Sequence, residues 1–134
     1  MFYPVVLRFD SEQNHYQISV PDLPGCDEIC QTIDNGLHQV KFTIANHLSI
    51  LAEYGEAIPQ AKEVGFWQQQ QPTGIWALVE IDITPYLGKS HKINVTLPEL
   101  LIKQIDDRVS KSDNYKTRSG FIATACINEL TLKD

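Results

Sequence analysis

The chain has 134 residues, 43% of them apolar and 21% charged, with a net charge of -6, the balance of a globular protein and not of a disordered one. No apolar stretch reaches the roughly 18 residues that a membrane span needs, and no basic head with a small-residue cleavage site opens the chain, so a soluble, cytoplasmic protein is expected. Three cysteines, Cys26, Cys30 and Cys126, leave one thiol over under any pairing, which speaks against a disulfide framework and for a reducing compartment.

The total charge hides a division. Residues 1–87 carry three cations against eleven acids, a balance of -8, whereas residues 88–134 carry eight cations against six acids, a balance of +2. The first part is unsuited to a polyanion and the second is compatible with one.

In chain order, Phe2 to Asp10 is rich in β-branched and aromatic residues and ends in the polar turn Ser11 to Asn14. His15 to Val20 then alternates polar and apolar residues, which predicts an antiparallel hairpin. Pro21-Asp-Leu-Pro-Gly25 stops the second strand. From Ile33 to about Tyr54, the positions Leu37, Val40, Ile44, Leu48 and Leu51 recur at steps of three and four and predict an amphipathic helix. Thr32 is a candidate N-cap for it, and Gly55 lies where a C-terminal cap is expected. The Gln68 to Gln71 run reads as a solvated connection, and Gly74 to Ile83 as a long strand. Thr84 to Gly88, with a proline and a glycine, breaks the pattern and places a domain boundary between residues 1–87 and 88–134.

Beyond the boundary, Lys92 to Leu97 alternates strictly. Ile93, Val95 and Leu97 share one face and Lys92, Asn94 and Thr96 the other. Pro98 ends this strand and suits the first turn of a helix, which carries Leu101, Ile105 and Val109. Asp113 to Thr117 reads as a turn, with Thr117 capping a second helix that bears Phe121, Ile122, Ala125 and Leu130. One short strand and two short helices cannot close a core, so dimerisation is expected.

This order of strand, proline, helix, hydroxyl cap and helix, over residues 91–132, resembles the ribbon-helix-helix family of Arc- and MetJ-type repressors. The resemblance implies that two chains pair their strands into a ribbon that enters the major groove of operator DNA. The base readers are then Lys92, which can donate to guanine, Asn94, which can bond adenine, and Thr96, which offers a hydroxyl and a methyl. Thr117, Arg118 and Ser119, at the start of the second helix, match the family's phosphate contact. Gly120 departs from the bulkier residue usual there. Without the resemblance, the first three are simply the wet face of a half-buried strand.

Val20-Pro-Asp-Leu-Pro-Gly-Cys26, after a hairpin and before a long helix, resembles the HicB antitoxin family over residues 2–83. The resemblance implies an α+β chain: a partial ribonuclease-H-like domain, with a three-stranded antiparallel sheet plus helix, followed by a ribbon-helix-helix arm. It also implies a small basic RNA-cleaving HicA-like toxin as partner, a homodimer through residues 91–132, and autorepression of the operon; whether dimers pair into tetramers is left open. An acidic sleeve for a basic ribonuclease agrees with the -8 balance of residues 1–87.

Two other readings compete. A ligand-sensing repressor would bind a metabolite where the toxin is expected. A metal-dependent nuclease would need converging carboxylates, for which Asp10, Asp22, Glu80 and Asp82 near strand ends are the nominees. Neither a metal nor another cofactor is expected, because Cys26 and Cys30 with His15 or His38 lack a second cysteine pair at zinc spacing. His38 and His47 fall on different faces of the helix. No glycine-rich phosphate loop or nucleophile elbow stands out, and the chain is not expected to be an enzyme.

Overall fold

A computed structural model of the chain describes residues 1–132. The chain divides after Gly88 into two compact units. The first holds strands β1 (Phe2–Asp10), β2 (His15–Ser19), β3 (Asp27–Cys30) and β4 (Ile75–Glu80), and helices α1 (Ile33–Glu53) and α2 (Val64–Gln70). The strands form one sheet in the order β3-β2-β1-β4, with neighbours antiparallel.

β1 is interior to this sheet, and Tyr3, Pro4, Val5, Val6 and Leu7 are all buried. Successive side chains of a strand point to opposite faces, so an unbroken buried run means that both faces of β1 are covered. On one face, Leu7 lies opposite Ile18, and Tyr3 opposite Val79. Helix α1 covers that face through Gly36, Val40, Ile44 and Leu48, buried at four-residue steps. On the other face, the Trp76 indole N–H donates to the Gln71 carbonyl at 3.0 Å, and the Arg8 guanidinium donates to the Gln71 side chain.

Local chemistry sets the ends of α1. The Thr32 hydroxyl accepts from the Asn35 N–H at 3.1 Å, as an N-cap should. At the far end Gly55 has φ +70°; its N–H donates to the Ala52 carbonyl and that of Glu56 to the Leu51 carbonyl, the paired closure of a Schellman cap. The Pro21 to Gly25 segment is an ordered turn. Val20 N–H donates to the Cys26 carbonyl, Leu23 N–H to Val20, and Cys26 N–H to Leu23, while Leu23 is fully buried.

The sheet has four strands where three are expected from the sequence. The additional strand, β3, is Asp-Glu-Ile-Cys, whose two acids and short length hide it from any alternation test; its pairing of Tyr16 with Cys30 and Ser19 with Asp27 makes it a strand. A short, charged edge also discourages pairing with foreign strands. Helix α2 corrects the reading of the glutamine run as connection: Gln68, Gln69 and Gln70 are helical, glutamine being a sound helix former. The fourth strand is shorter than expected, because the Asp82 carboxylate accepts from the Thr84 N–H at 3.0 Å and starts a single 3-10 turn.

The second unit holds α3 (Glu99–Lys111) and α4 (Arg118–Leu132), which pack on each other. Pro98 caps α3, its carbonyl accepting from the Ile102 N–H at 3.1 Å. Thr117 caps α4 through its hydroxyl, which accepts from the Gly120 N–H at 3.0 Å. The strand expected over Lys92 to Leu97 does not form within one chain. A ladder needs a second strand, and the described residues of this unit contain no other.

Gly36 marks the closest approach of α1 to the sheet. A Cβ there would collide with Cys30 Sγ and crowd Cys30 Cβ. Gly36→Ala should therefore destabilise the chain by about 1–3 kcal/mol, the range for overpacking, in thermal or urea unfolding. Adding Cys30→Ala should restore most of that loss, since the sulfur is the first atom in the way.

Candidate functional site

In the second unit, Lys92, Asn94 and Thr96 are exposed. Their apolar neighbours are exposed too: Ile93 is 79% and Val95 62% accessible, and Leu97 is half-buried. Leu100, Leu101 and Leu130 are likewise open to solvent. Among the described residues of this unit only Ile105 is buried. An apolar face of this extent on so small a unit is a surface made to be covered.

At the start of α4, Thr117, Arg118 and Ser119 are exposed side by side. The Thr117 hydroxyl and carbonyl satisfy the N–H groups of Gly120 and Phe121, which leaves those of Arg118 and Ser119 as first-turn donors without an intrahelical acceptor. Tyr115 meets Phe121 edge-on, with centroids 5.1 Å apart, and so seats the turn against the helix. Gly120 allows a tight cap: a Cβ there would lie 3.3 Å from the Thr117 hydroxyl oxygen.

Sequence reasoning missed what Arg118 does. Its guanidinium donates from Nε at 2.9 Å and from Nη2 at 2.7 Å to the two oxygens of Asp106, on α3. These hydrogen bonds hold the Asp106 carboxyl below the usual carboxylate range and raise Arg118 above its own. The two residues are twelve positions apart, and no local pattern links them.

In the first unit the four acids nominated for metal chemistry do not converge. Asp10 accepts from the N–H groups of Glu12 and Gln13 in its own turn, and Asp82 from Thr84. Asp22 is 9% exposed; its oxygens accept from the Lys62 N–H at 3.0 Å and the Trp67 indole at 3.1 Å. It thereby pins the segment after α1 to the turn after β2. The Lys62 ammonium lies 4.5 Å over the Phe66 ring and 5.2 Å over that of Trp67. Tyr3, its hydroxyl donating to the Pro59 carbonyl at 2.8 Å, is pushed up to about 12 by burial and by Asp22.

Cys26 and Cys30 are buried. Burial, together with the charges of Asp27 and Glu28, pushes the Cys26 thiol up to about 11, and burial and Glu28 raise Cys30. Both are packing groups held in the thiol form, not poised nucleophiles. Among the described residues, no three histidine, cysteine or acidic side chains are grouped to hold a metal ion.

Burial raises the Asp22 carboxyl above 3.8, against the opposing hydrogen bonds from Lys62 and Trp67 and the Lys62 charge. The folded chain then holds this proton more tightly than the unfolded chain. Its contribution is fully present below about pH 3.8 and is lost as pH rises through the folded value. In melting curves recorded upward from that pH, the difference between the native chain and Asp22→Asn should shift in favour of the variant. A difference that stays constant with pH would mean that Asp22 titrates as it does in the unfolded chain.

A family model described as a HicB-like antitoxin of bacterial toxin-antitoxin systems matches residues 3–126. The chain is 31% identical over 132 residues to an uncharacterised 14.9 kDa protein from the rep-hol intergenic region of Haemophilus phage HP1, covering 97% of this chain and 98% of that one. It is similar to the crystal structure of the Burkholderia pseudomallei antitoxin HicB, at 30% identity and a TM-score of 0.72, over 97% of this chain and 98% of that one. A chain of a HicA3 and HicB3 toxin-antitoxin complex matches in fold, at 24% identity and a TM-score of 0.50, over 61% of this chain and 99% of that one.

Proposed function

This chain belongs to the HicB-like antitoxin family of bacterial toxin-antitoxin systems, and from that premise we propose a division of labour between its two units. The unit up to Gly88, read as a partial ribonuclease-H-like fold, covers the active site of a small basic RNA-cleaving toxin of the HicA type. The unit from Lys89 onward is a ribbon-helix-helix arm that dimerises, binds operator DNA and represses the chain's own operon. The toxin reading is supported by the family, by the solved HicA3 and HicB3 complex that shares the fold, and by the -8 balance of residues 1–87. Opposite fields speed docking and disfavour wrong partners.

The observation that carries the DNA reading is the uncovered apolar side of Lys92 to Leu97. Two copies of this segment, paired antiparallel across a two-fold axis, would bury Ile93, Val95 and Leu97 against the helices. The same pairing turns Lys92, Asn94 and Thr96 outward together, as a ribbon entering the major groove requires. The first turns of the two α4 helices would then meet phosphates through Thr117, Arg118 and Ser119.

Light scattering should find the intact chain dimeric or larger at micromolar concentration, and Ile93→Ser with Val95→Ser should abolish that assembly. A monomeric native chain would remove the ribbon-helix-helix reading.

Replacing Lys92, Asn94 and Thr96 with alanine should leave assembly nearly unchanged, since surface substitutions usually cost within about 0.5 kcal/mol. Operator binding should suffer far more, each lost base contact being worth roughly 1–3 kcal/mol of discrimination and counted twice by symmetry. The same protein should still rescue growth when co-expressed with the toxin encoded beside it and should co-purify with it. Loss of rescue by a folded triple variant would overturn the division of labour.

A further inference from the structure

We propose that Asp106 acts as an internal stand-in for DNA phosphate, holding Arg118 in the free protein and competing with DNA for it. This inference rests on the reading of the α4 start as a phosphate contact. A guanidinium presents a planar fork that fits a carboxylate and a phosphate in the same two-bond manner. In the free chain that fork is occupied, with Nε and Nη2 at 2.9 and 2.7 Å from the two Asp106 oxygens.

The place of the carboxylate matters as much as its distance. Arg118 is the first residue of α4, where the helix dipole and the open N–H groups favour an anion. Asp106, reaching over from α3, puts a negative charge beside the position that a backbone phosphate would take. Arg118 cannot keep both oxygens of Asp106 and also grip a phosphate with the same fork. A phosphate gripped through that same Nε–Nη2 edge requires the pair to open, and it leaves an uncompensated carboxylate near the strand, whereas the Nη1 donors alone give a poorer grip.

Both side chains are about half exposed, so water and salt weaken the pair and the barrier it sets is modest. A modest barrier suits a protein that must leave its operator again: the pair lowers affinity for every DNA sequence alike and leaves discrimination to the base-reading face. It also gives Arg118 a defined rotamer in the free arm.

The test is a double-mutant cycle on the intact chain, with a duplex carrying the promoter of the chain's own gene, titrated at several salt concentrations. Asp106→Asn should tighten binding by about two- to fivefold per protomer, about tenfold for the dimer, as loss of an exposed competing pair allows. The gain should shrink as salt rises. In the Arg118→Ala background the same substitution should give almost no gain, because the group under competition is gone. Asp106→Ala serves as a second variant, and melting curves check that each protein is folded.

An affinity that is unchanged or lower in both Asp106 variants overturns the proposal. So does a gain of equal size with and without Arg118, which would reflect removal of a negative charge and not release of the guanidinium. A native chain that does not bind the duplex at all removes the DNA reading, and this inference with it; a native chain that binds while the variants gain nothing removes the inference alone.

Discussion

Apolar surface must be covered, and the two units of this chain meet that constraint in opposite ways. In the first, β1 runs through the interior of the sheet with Tyr3 to Leu7 buried, α1 seated on one face and Gln71 tied to Trp76 and Arg8 on the other. The second has a single buried residue, Ile105, among those described. It leaves Ile93 and Val95 more than half open. Two helices and one unpaired segment have too little volume for their surface, and the proposed dimer would supply the cover they lack.

That need gives the proposed DNA-binding function its geometry. A two-fold partner would supply the missing strand and the missing cover in one step, and an isologous contact would place two copies of each surface group symmetrically. The unit that closes its own core carries the negative balance and the unit that does not carries the positive one. Charge and packing thus divide the chain at the same place, as the proposed pairing of one unit with a basic toxin and the other with DNA would require.

Two carboxylates show how differently the units use one chemistry. Asp22 is buried without an ion pair; two N–H donors satisfy it, and burial still raises its pKa. Its contribution is to hold the segment that leads into α2, and removing its acceptors would take the partner from the Lys62 backbone N–H and the Trp67 indole, both part-buried. Asp106 is exposed, paired with a guanidinium, and held below its usual range. Where the first is fixed by its surroundings, the second is free to exchange its partner.

Local rules made much of the architecture legible from the residues alone. The hairpin, α1 from Thr32 to Gly55, the break after Thr84, the cap at Thr117 and the alternation of Lys92 to Leu97 all rest on periodicities and cap chemistry that span a few residues. Other features had no such signature. β3 is a strand because β2 lies beside it, and α2 is a short helix that packs on β1 and β4. Asp22 became an anchor, and not a candidate metal ligand, because chain folding brought Lys62 and Trp67 to it. Asp106 met Arg118 because α3 and α4 pack together. Periodicity and caps are written in neighbouring residues, so the sequence by itself determined the hairpin, α1 and the two helices of the second unit. The partners of short charged segments and of single carboxylates are chosen across tens of residues by packing, and only the tertiary structure decided them.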